Sequence, residues 1–185
     1  MADVRLETER LILRDIEEDD WVSVHRYASI PTVSRFMAWG PNTEQDSKDF
    51  VKRAQAGRSE DLQKEAHLGI VRKDTGEFIG ACGIWRKEGR MHEAEIGYCL
   101  HPDSWNHGYM TEAARALIGF GFRDWGAHRV FARVDPENIG SIRVVEKCGL
   151  RREGRLLKSD RIKGEWRDML IYAVLEEEWN RTMSF

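Results

Sequence analysis

Cysteine is scarce in this sequence, and neither sign of charge is in large excess. The 185-residue chain has three cysteines, Cys82, Cys99 and Cys148, which are widely spaced and form no Cys-x-x-Cys pair. This pattern argues against a disulfide framework or a zinc site and favours reduced thiols in a cytoplasmic protein. A formal net charge of −3 gives no large positive field for nucleic acid or an anionic membrane. We therefore expect no metal, no nucleic acid and no membrane among its partners.

Long hydrophobic runs, linkers and repeats are missing as well. The longest apolar runs, such as residues 116–122, are far too short to span a bilayer, and the segment through Asp20 is too charged for a signal peptide. No Pro/Gly/Ser-rich linker, repeat or low-complexity tract divides the sequence. We expect one domain over residues 1–185, located in the cytoplasm and large enough to bury a core without disulfides or metals.

Hydrophobic periodicity predicts the order of the elements. In the first half we expect a strand at 11–13, a helix that includes 21–28, and a second helix that begins at a capping box of Thr43 and Asp46. Three strands should follow at 67–71, 78–85 and 94–100, joined by turns at 74–77 and 87–90. The second half is expected to hold a helix from about Thr111 to Trp125, a strand at 130–134, a helix at 140–147 and strands at 151–157 and 169–175. This order predicts an α/β (α+β) domain with a mixed sheet and at least one strand–helix–strand crossover.

The segment from Leu100 to Ala114 carries the strongest local signal. A strand ends before Pro102, a tight loop passes through Gly108, and a helix opens immediately afterwards. Free backbone N–H groups at a positive helix end suit a pyrophosphate, and a glycine permits close backbone approach. Neither a Walker loop nor a GxGxxG fingerprint is present. On spacing alone, phosphate binding and a plain turn capped by Thr111 are equally supported.

With its surroundings this segment resembles the GNAT acetyltransferases, in particular their RimJ/RimL branch, the ribosomal-protein N-terminal acetyltransferase type. The family loop reads Gln/Arg-x-x-Gly-x-Gly/Ala, and Trp105 to Met110 falls in that register, followed by Thr-Glu-Ala. Asn106 and His107 stand where the branch more often has Gly and Lys or Arg. The resemblance extends over nearly the whole chain, through residues 7–14, 95–98, 138–141, 146–150, 153–155, 164–168 and 175–179.

The resemblance implies a single GNAT-like domain of about seven strands, with a splayed central strand pair, and about four helices. It implies an acetyl-CoA-dependent N-acetyltransferase that transfers acetyl directly to a primary amine, most simply a protein N-terminal α-amine. Acetyl-CoA is then the co-substrate and the amine acceptor the partner. The cofactor-binding residues it implies are Tyr98, Cys99 and Leu100 through their main chains, Trp105, Asn106, His107, Gly108, Tyr109, Met110 and Thr111 in the loop and helix start, and Asn138 with Ser141.

The resemblance also identifies a departure at the usual proton donor. Many GNAT enzymes carry a tyrosine seven residues after the asparagine that corresponds to Asn138, and here that position is Val145, which has no titratable proton. Rim-type relatives carry a serine near the CoA sulfur at the position of Ser141. We therefore expect the Ser141 hydroxyl to hydrogen-bond the departing thiolate, with an ordinary helix cap as the alternative.

Glu95 is the expected general base. Strict strand alternation puts Glu95, Gly97 and Cys99 on one face, so this carboxylate enters the central strand close to the expected splay. A salt bridge at the strand end is the alternative for Glu95, and Glu93 or water are the alternative bases.

Other acceptors and another functional class stay open at this point. The acceptor could instead be a small amine such as a polyamine, an aminoglycoside or an amino-acid derivative. An acidic cleft wall of Glu44, Asp46 and Asp49 would favour the polycations among these, and a solvated helix face is the alternative for the three residues. A non-catalytic CoA-binding module is the alternative outside enzymes. Trp39 would either line the acceptor pocket or cap the core, and a homodimer through the Trp-rich C-terminal strands is equally open.

Overall fold

The computed structural model describes residues 4–60, 65–86, 89 and 92–183. Within these residues there are eight strands: β1 (Arg5–Glu7), β2 (Leu11–Asp15), β3 (Glu65–Arg72), β4 (Phe78–Trp85), β5 (Glu93–Leu100), β6 (Arg129–Val134), β7 (Arg151–Ile162) and β8 (Glu165–Leu175). The same residues form six helices: α1 (Trp21–Ala28), α2 (Pro31–Ser34), α3 (Glu44–Glu60), α4 (Tyr109–Arg123), α5 (Ile139–Lys147) and α6 (Glu176–Met183). Of the turn predicted at 87–90, only Gly89 is among the described residues.

All eight strands form one mixed sheet in the order β1-β2-β3-β4-β5-β6-β8-β7. Neighbouring strands are antiparallel except β5 and β6, which are parallel and joined by a crossover through α4. The predicted α/β fold with a mixed sheet and a crossover is confirmed, but the counts of about seven strands and about four helices are low. The elements that were not predicted are β1 and α2, which are three and four residues long, and the highly polar α6. Such segments carry too few apolar positions to show a period.

Two apolar cores lie on opposite faces of the sheet. The larger core packs α4 and α5 against the sheet through side chains such as Leu68, Ile84, Ile96, Leu117 and Val130. The smaller core packs α1 and α3 against the other face through side chains such as Ile16, Val24, Tyr27, Val51 and Phe78. Burial of these side chains accounts for most of the driving force of folding. The two cores also fix which face each strand residue occupies.

The central strands separate halfway along their length. Register pairs join Glu93–Glu95 of β5 to Arg129–Phe131 of β6, and no pairing between these two fully described strands follows. Both strands continue, β5 to Leu100 and β6 to Val134, while β5 stays paired with β4 as far as Leu100. Backbone groups on the open edges of β5 and β6 can therefore bind a ligand inserted between the strands. This splay agrees with the expectation from the family resemblance.

Two element boundaries differ from the sequence prediction in ways that affect the site. Helix α4 begins at Tyr109 and ends at Arg123, two residues earlier at each end than predicted. Strands β7 and β8 reach Ile162 and Glu165, so they form a much longer hairpin than the predicted 151–157 and 169–175. The additional strand residues are mostly charged and exposed, so they show no hydrophobic alternation by which a strand could be predicted.

Two kinds of feature are absent from the residues that the structure describes. No described helix is long and apolar enough to cross a membrane. No group of three or more His, Cys, Asp or Glu side chains among those residues could hold a metal ion. All three cysteines are described and all are free thiols.

Candidate active site

The loop before α4 presents backbone N–H groups at a helix end. Asn106 and Gly108 both have positive φ, 63° and 79°, and Gly108 is the N-cap of α4. The first intrahelical bond runs from the Glu112 N–H to the Gly108 carbonyl at 3.1 Å. The four N–H groups from Gly108 to Thr111 therefore have no acceptor within the helix. Together with the helix dipole they make a site suited to an anion.

Glu112 anchors this loop to the β1–β2 turn. Its carboxylate accepts hydrogen bonds from the Thr8 hydroxyl at 2.6 Å, the Arg10 backbone N–H at 2.7 Å and the Arg10 Nε at 2.7 Å. Arg10 Nη1 also donates to the His107 carbonyl at 3.0 Å. Burial works against ionisation, but hydrogen bonds from Thr8 and Arg10 outweigh it and hold the pKa of Glu112 below its ordinary value. Glu112 is thus a charged brace for the loop.

Tyr109 lies among cationic and aromatic neighbours at the start of α4. The Arg10 guanidinium lies 4.7 Å and the Arg72 guanidinium 5.5 Å from the centroid of the Tyr109 ring. The His107 ring stacks on the same tyrosine with a centroid distance of 5.7 Å. Arginines 10 and 72 therefore add positive charge beside the N–H groups of the loop, where His107 replaces the commoner lysine or arginine.

The remaining loop residues hold the end of β5 against α4. The Trp105 indole Nε1 donates to the Leu100 carbonyl at 3.0 Å, Met110 is buried in the larger core, and the Thr111 carbonyl accepts a contact from Cys148 Sγ at 3.5 Å. The Leu100 carbonyl therefore already accepts one hydrogen bond, from the Trp105 side chain. Trp105 closes the loop through its side chain, a role that sequence reasoning did not assign.

Ser141 lies in the first turn of α5, at the side of the splay that faces α4. Its N–H donates to Asn138 Oδ1 at 3.1 Å, which makes Asn138 the N-cap of the helix. The hydroxyl oxygens of Ser141 and Tyr98 are 3.1 Å apart. The Asn138 oxygen thus caps α5, and its NH₂ group is the part of the amide that can donate to a ligand.

Val145 occupies the position where many family members carry the acid tyrosine. Its side chain is fully buried in the larger core. A tyrosine would not fit there without displacing core side chains. The hydroxyl near Ser141 comes instead from Tyr98 on β5, 43 residues away along the chain.

Glu95 and Tyr98 lie on opposite faces of β5. Tyr98 packs against the larger core, while the odd separation of three residues points Glu95 towards the other face. There Glu95 is opposite Trp85 of β4 and Phe131 of β6, and it is 8% exposed. The Trp85 ring covers the next position on that face, because a Cβ on Gly97 would lie 2.7 Å from it. The carboxylate thus sits where β5 and β6 begin to separate.

Glu93, the alternative base, belongs to a chain of ion pairs. Arg129 lies 3.4 Å from the Glu93 carboxylate and 2.6 Å from that of Glu153. Glu93 is the first residue of β5 and lies two residues farther than Glu95 from the point where β5 and β6 separate. Between the two candidates, the geometry favours Glu95.

Comparison with known proteins decides the family. The model of the acetyltransferase (GNAT) domain family matches residues 10–151. The chain belongs to the GNAT acetyltransferase family. An uncharacterized N-acetyltransferase of Bacillus subtilis, YnaD, is 37% identical over 96% of this chain and 100% of its own length. The crystal structure of a GNAT-family acetyltransferase from Bacillus anthracis matches with a TM-score of 0.86 and 35% identity, over 95% of this chain and all of that one.

A more distant relative of this GNAT protein has a named acceptor. The ribosomal protein uS5-alanine N-acetyltransferase of Escherichia coli is 27% identical over 95% of this chain and 93% of its own length. The present chain is an N-acetyltransferase, and acetyl-CoA is its acetyl donor.

Cys99 is the one thiol on the same strand face as Glu95, and its environment keeps it protonated. It packs against the smaller core and shares a hydrogen bond with the Tyr27 hydroxyl. Burial raises the pKa of the Cys99 thiol to about 12. A thiol of this kind is not a nucleophile at neutral pH, so we do not expect Cys99 to take up the acetyl group.

Contacts on the outer side of the splay join three separate segments. The ammonium of Lys163, at the β7–β8 turn, donates to the Ser34 carbonyl of α2 at 2.7 Å. Arg35 and Arg167 approach the Glu137 carboxylate to 3.1 and 3.6 Å. We call these five residues, Ser34, Arg35, Glu137, Lys163 and Arg167, the hairpin rim. One member of the rim, Glu137, directly precedes Asn138 in the sequence.

The proposed acidic cleft wall on α3 is instead part of the helix start. Asp46 accepts bonds from the Thr43 N–H at 2.9 Å and the Thr43 hydroxyl at 2.6 Å, which confirms the predicted capping box. Asp49 accepts from Gln45 at 2.8 Å, and Glu44 lies 3.7 Å from Lys48. All three carboxylates therefore serve local helix contacts. Trp39 is 38% exposed beyond α2, so it does not cap the core.

Proposed function

We propose that this GNAT enzyme acetylates the α-amine of a protein N-terminus by direct attack on acetyl-CoA. The observation that carries the proposal is the arrangement across β5. A buried carboxylate, Glu95, lies on one face of the strand, the Ser141 hydroxyl lies beyond the other, and the splay opens between them. Acetyl transfer to an amine needs a proton acceptor on the amine side and a hydrogen-bond donor on the leaving-group side.

In the proposed complex, the pyrophosphate of acetyl-CoA binds the N–H groups of Gly108 to Thr111. The pantetheine enters the splay, where the Asn138 NH₂ and open strand edges bind its amides. The main chains of Tyr98 and Cys99 lie along the thioester, and the side chains of Trp105, Asn106 and His107 shape the loop. This arrangement uses backbone donors that are left without helix partners.

In the proposed chemical step the acetyl group passes directly from sulfur to nitrogen, without a covalent enzyme intermediate. The amine lone pair forms the N–C bond to the thioester carbonyl carbon, and the C–S bond breaks with its electron pair going to sulfur. One N–H proton passes to Glu95, directly or through water. The sulfur departs as a thiolate that accepts a hydrogen bond from the Ser141 hydroxyl, and it takes up a proton from solvent.

The charges around the cleft support an acceptor with a single ammonium group. Carboxylates between the end of β6 and the β7–β8 hairpin have arginine neighbours: Asp135, Glu137 and Glu165 lie near Arg167, Arg35 also reaches Glu137, and Asp160 pairs with Arg133. The carboxylates of α3 serve its own capping and side-chain contacts. Polyamines and aminoglycosides bind through several cationic groups and need unpaired carboxylates. A peptide N-terminus needs only one.

The proposal is tested by following thiol release from acetyl-CoA with matched acceptors. Peptides with a free N-terminus should be acetylated, whereas the same peptides blocked at the N-terminus but carrying an internal lysine should not. Polyamines and aminoglycosides at equal concentration should react far more slowly. Turnover confined to polyamines or aminoglycosides, or to the lysine of blocked peptides, would overturn the proposed acceptor.

A further inference from the structure

The Tyr98 hydroxyl lies against Ser141 but takes no part in the bond changes of the proposed transfer step. Tyr98 lies on β5 at the splay, and its oxygen is 3.1 Å from Ser141 Oγ and 3.4 Å from the Ser141 carbonyl. Its body packs against the larger core. A buried tyrosine hydroxyl ordinarily has a structural partner such as a backbone carbonyl. Here its nearest hydrogen-bond partner is the side chain proposed to face the CoA sulfur.

We propose that Tyr98 is a positioning residue that donates its hydroxyl hydrogen to Ser141 Oγ and thereby directs the Ser141 hydrogen towards the leaving sulfur. This inference rests on the proposed role of Ser141. A serine hydroxyl has one hydrogen and rotates freely, so an accepted hydrogen bond restricts where that hydrogen points. Chains of hydrogen bonds also polarise one another, which makes the terminal donor stronger.

Neighbouring contacts also fix the position of Ser141 and keep the hydroxyl proton on Tyr98. Ser141 is held at the start of α5 because Asn138 caps its N–H at 3.1 Å. Val145, one turn further along the same helix, is locked in the core. Burial raises the pKa of the Tyr98 phenol far above its ordinary value, so Tyr98 keeps its proton as thiolate forms. Tyr98 therefore acts as a fixed donor, and no proton is lost from it during the reaction.

The roles of the two hydroxyls differ from that of a single acid tyrosine. Ser141 alone touches the sulfur, and Tyr98 acts through Ser141. The C–S electron pair stays on sulfur as a thiolate until solvent protonates it. Loss of Tyr98 should consequently weaken the Ser141 hydrogen bond without abolishing it, and it should have no effect where Ser141 is already gone.

The test uses a second tyrosine as a matched control. Tyr172 on β8 is buried, whereas Tyr98 is partly buried, and the Tyr172 hydroxyl donates to Glu146 of α5 at 3.1 Å, so Tyr172→Phe removes a comparable bond to the same helix. The readout is the affinity of CoA relative to desulfo-CoA across pH, measured by calorimetry. Because neither ligand requires an acceptor, this readout stands even if the proposed acceptor is wrong.

The wild-type protein should prefer CoA increasingly as pH rises and the bound thiol ionises. Tyr98→Phe should reduce that preference, and the maximal rate, by about tenfold, the size expected for one lost hydrogen bond. Tyr172→Phe should leave both unchanged. In the Ser141→Ala background, Tyr98→Phe should add nothing.

Three results would overturn the inference. One is a Tyr98→Phe protein with wild-type rate and sulfur preference. Another is a Tyr98→Phe effect on the maximal rate that is equally large in the Ser141→Ala background, because the effects of independent sites on free energy add. The third is loss of desulfo-CoA binding in Tyr98→Phe, which would show a purely structural role.

Discussion

The Glu112 carboxylate binds Arg10 twice, through the Arg10 backbone N–H and Nε, each at 2.7 Å. This contact joins the first turn of α4 to the β1–β2 turn, and the same arginine reaches the His107 carbonyl. The loop that we assign to the pyrophosphate is therefore braced from outside by a residue 102 positions away in the chain.

Glu112→Ala should destabilise the protein and weaken CoA binding together. The change leaves the donors on Thr8 and Arg10 without their acceptor, so the free energy of unfolding should fall by about 2 kcal/mol. CoA affinity should fall because the loop is no longer held. Denaturant unfolding and calorimetry measure the two effects. If the Glu112→Ala variant is less stable but binds CoA with wild-type affinity, the Glu112 contacts do not support the CoA-binding loop.

The same carboxylate gives a pH dependence whose sign is fixed. The pKa of Glu112 is lower in the folded than in the unfolded chain, so its stabilisation is present above the unfolded value and is lost as pH falls through the folded value. Unfolding free energies of wild type and Glu112→Gln should therefore differ most near neutral pH and converge in acid. A difference that grows in acid would contradict the assignment.

Gly108→Ala should weaken CoA binding by more than tenfold, about 1.4 kcal/mol. The residue has φ of +79°, and an added Cβ would lie beside the proposed phosphate site, with the Arg10 guanidinium 3.4 Å away. Gly76→Ala is the matched control, since Gly76 has φ of +69° with nothing within 4 Å and lies in the β3–β4 turn. Both variants should lose about 1–2 kcal/mol of stability, but only Gly108→Ala should lose CoA affinity. Equal CoA affinity in the two variants would place the phosphates elsewhere.

Glu95→Gln should lower the turnover rate by roughly a hundredfold or more and leave acetyl-CoA affinity nearly unchanged. The change removes the proposed proton acceptor while keeping the size of the side chain. Glu93→Gln is the control, because Glu93 lies two residues farther from the splay than Glu95 and should affect turnover little. Steady-state rates with a peptide acceptor measure both. If Glu93→Gln lowers the turnover rate far more than Glu95→Gln does, Glu93 is the base instead.

Cys99 should not become acetylated during the reaction. With its thiol pKa raised to about 12 by burial, almost none of it is thiolate at neutral pH. Mass spectrometry of the protein incubated with acetyl-CoA and no amine should show no acetyl adduct, and Cys99→Ala should keep most of its turnover. A stoichiometric acetyl adduct that is lost on adding amine would support a covalent mechanism instead.

The sequence predicted the fold better than the site, for physical reasons. Strand β4 was predicted with its observed ends because Phe78–Trp85 is a continuous apolar run buried on both faces. The Thr43–Asp46 capping box was predictable because it is local. The Tyr98–Ser141 contact depends on how far β5 and β6 separate, and the hairpin rim depends on the length of a charged hairpin. Such contacts between distant segments leave no periodic signal along the chain.

The most direct test of the account is the steady-state kinetics of Ser141→Ala. The hydroxyl is proposed to act on the sulfur only as the C–S bond breaks, so its loss should lower the maximal rate with little change in the Michaelis constants. The expected decrease is roughly ten- to a thousandfold, as for other lost donors to a developing anion. Ser141→Thr, which keeps a hydroxyl, should retain more activity than the alanine variant. A Ser141→Ala enzyme with the full wild-type rate would contradict the account, since solvent alone would then suffice for the leaving thiolate.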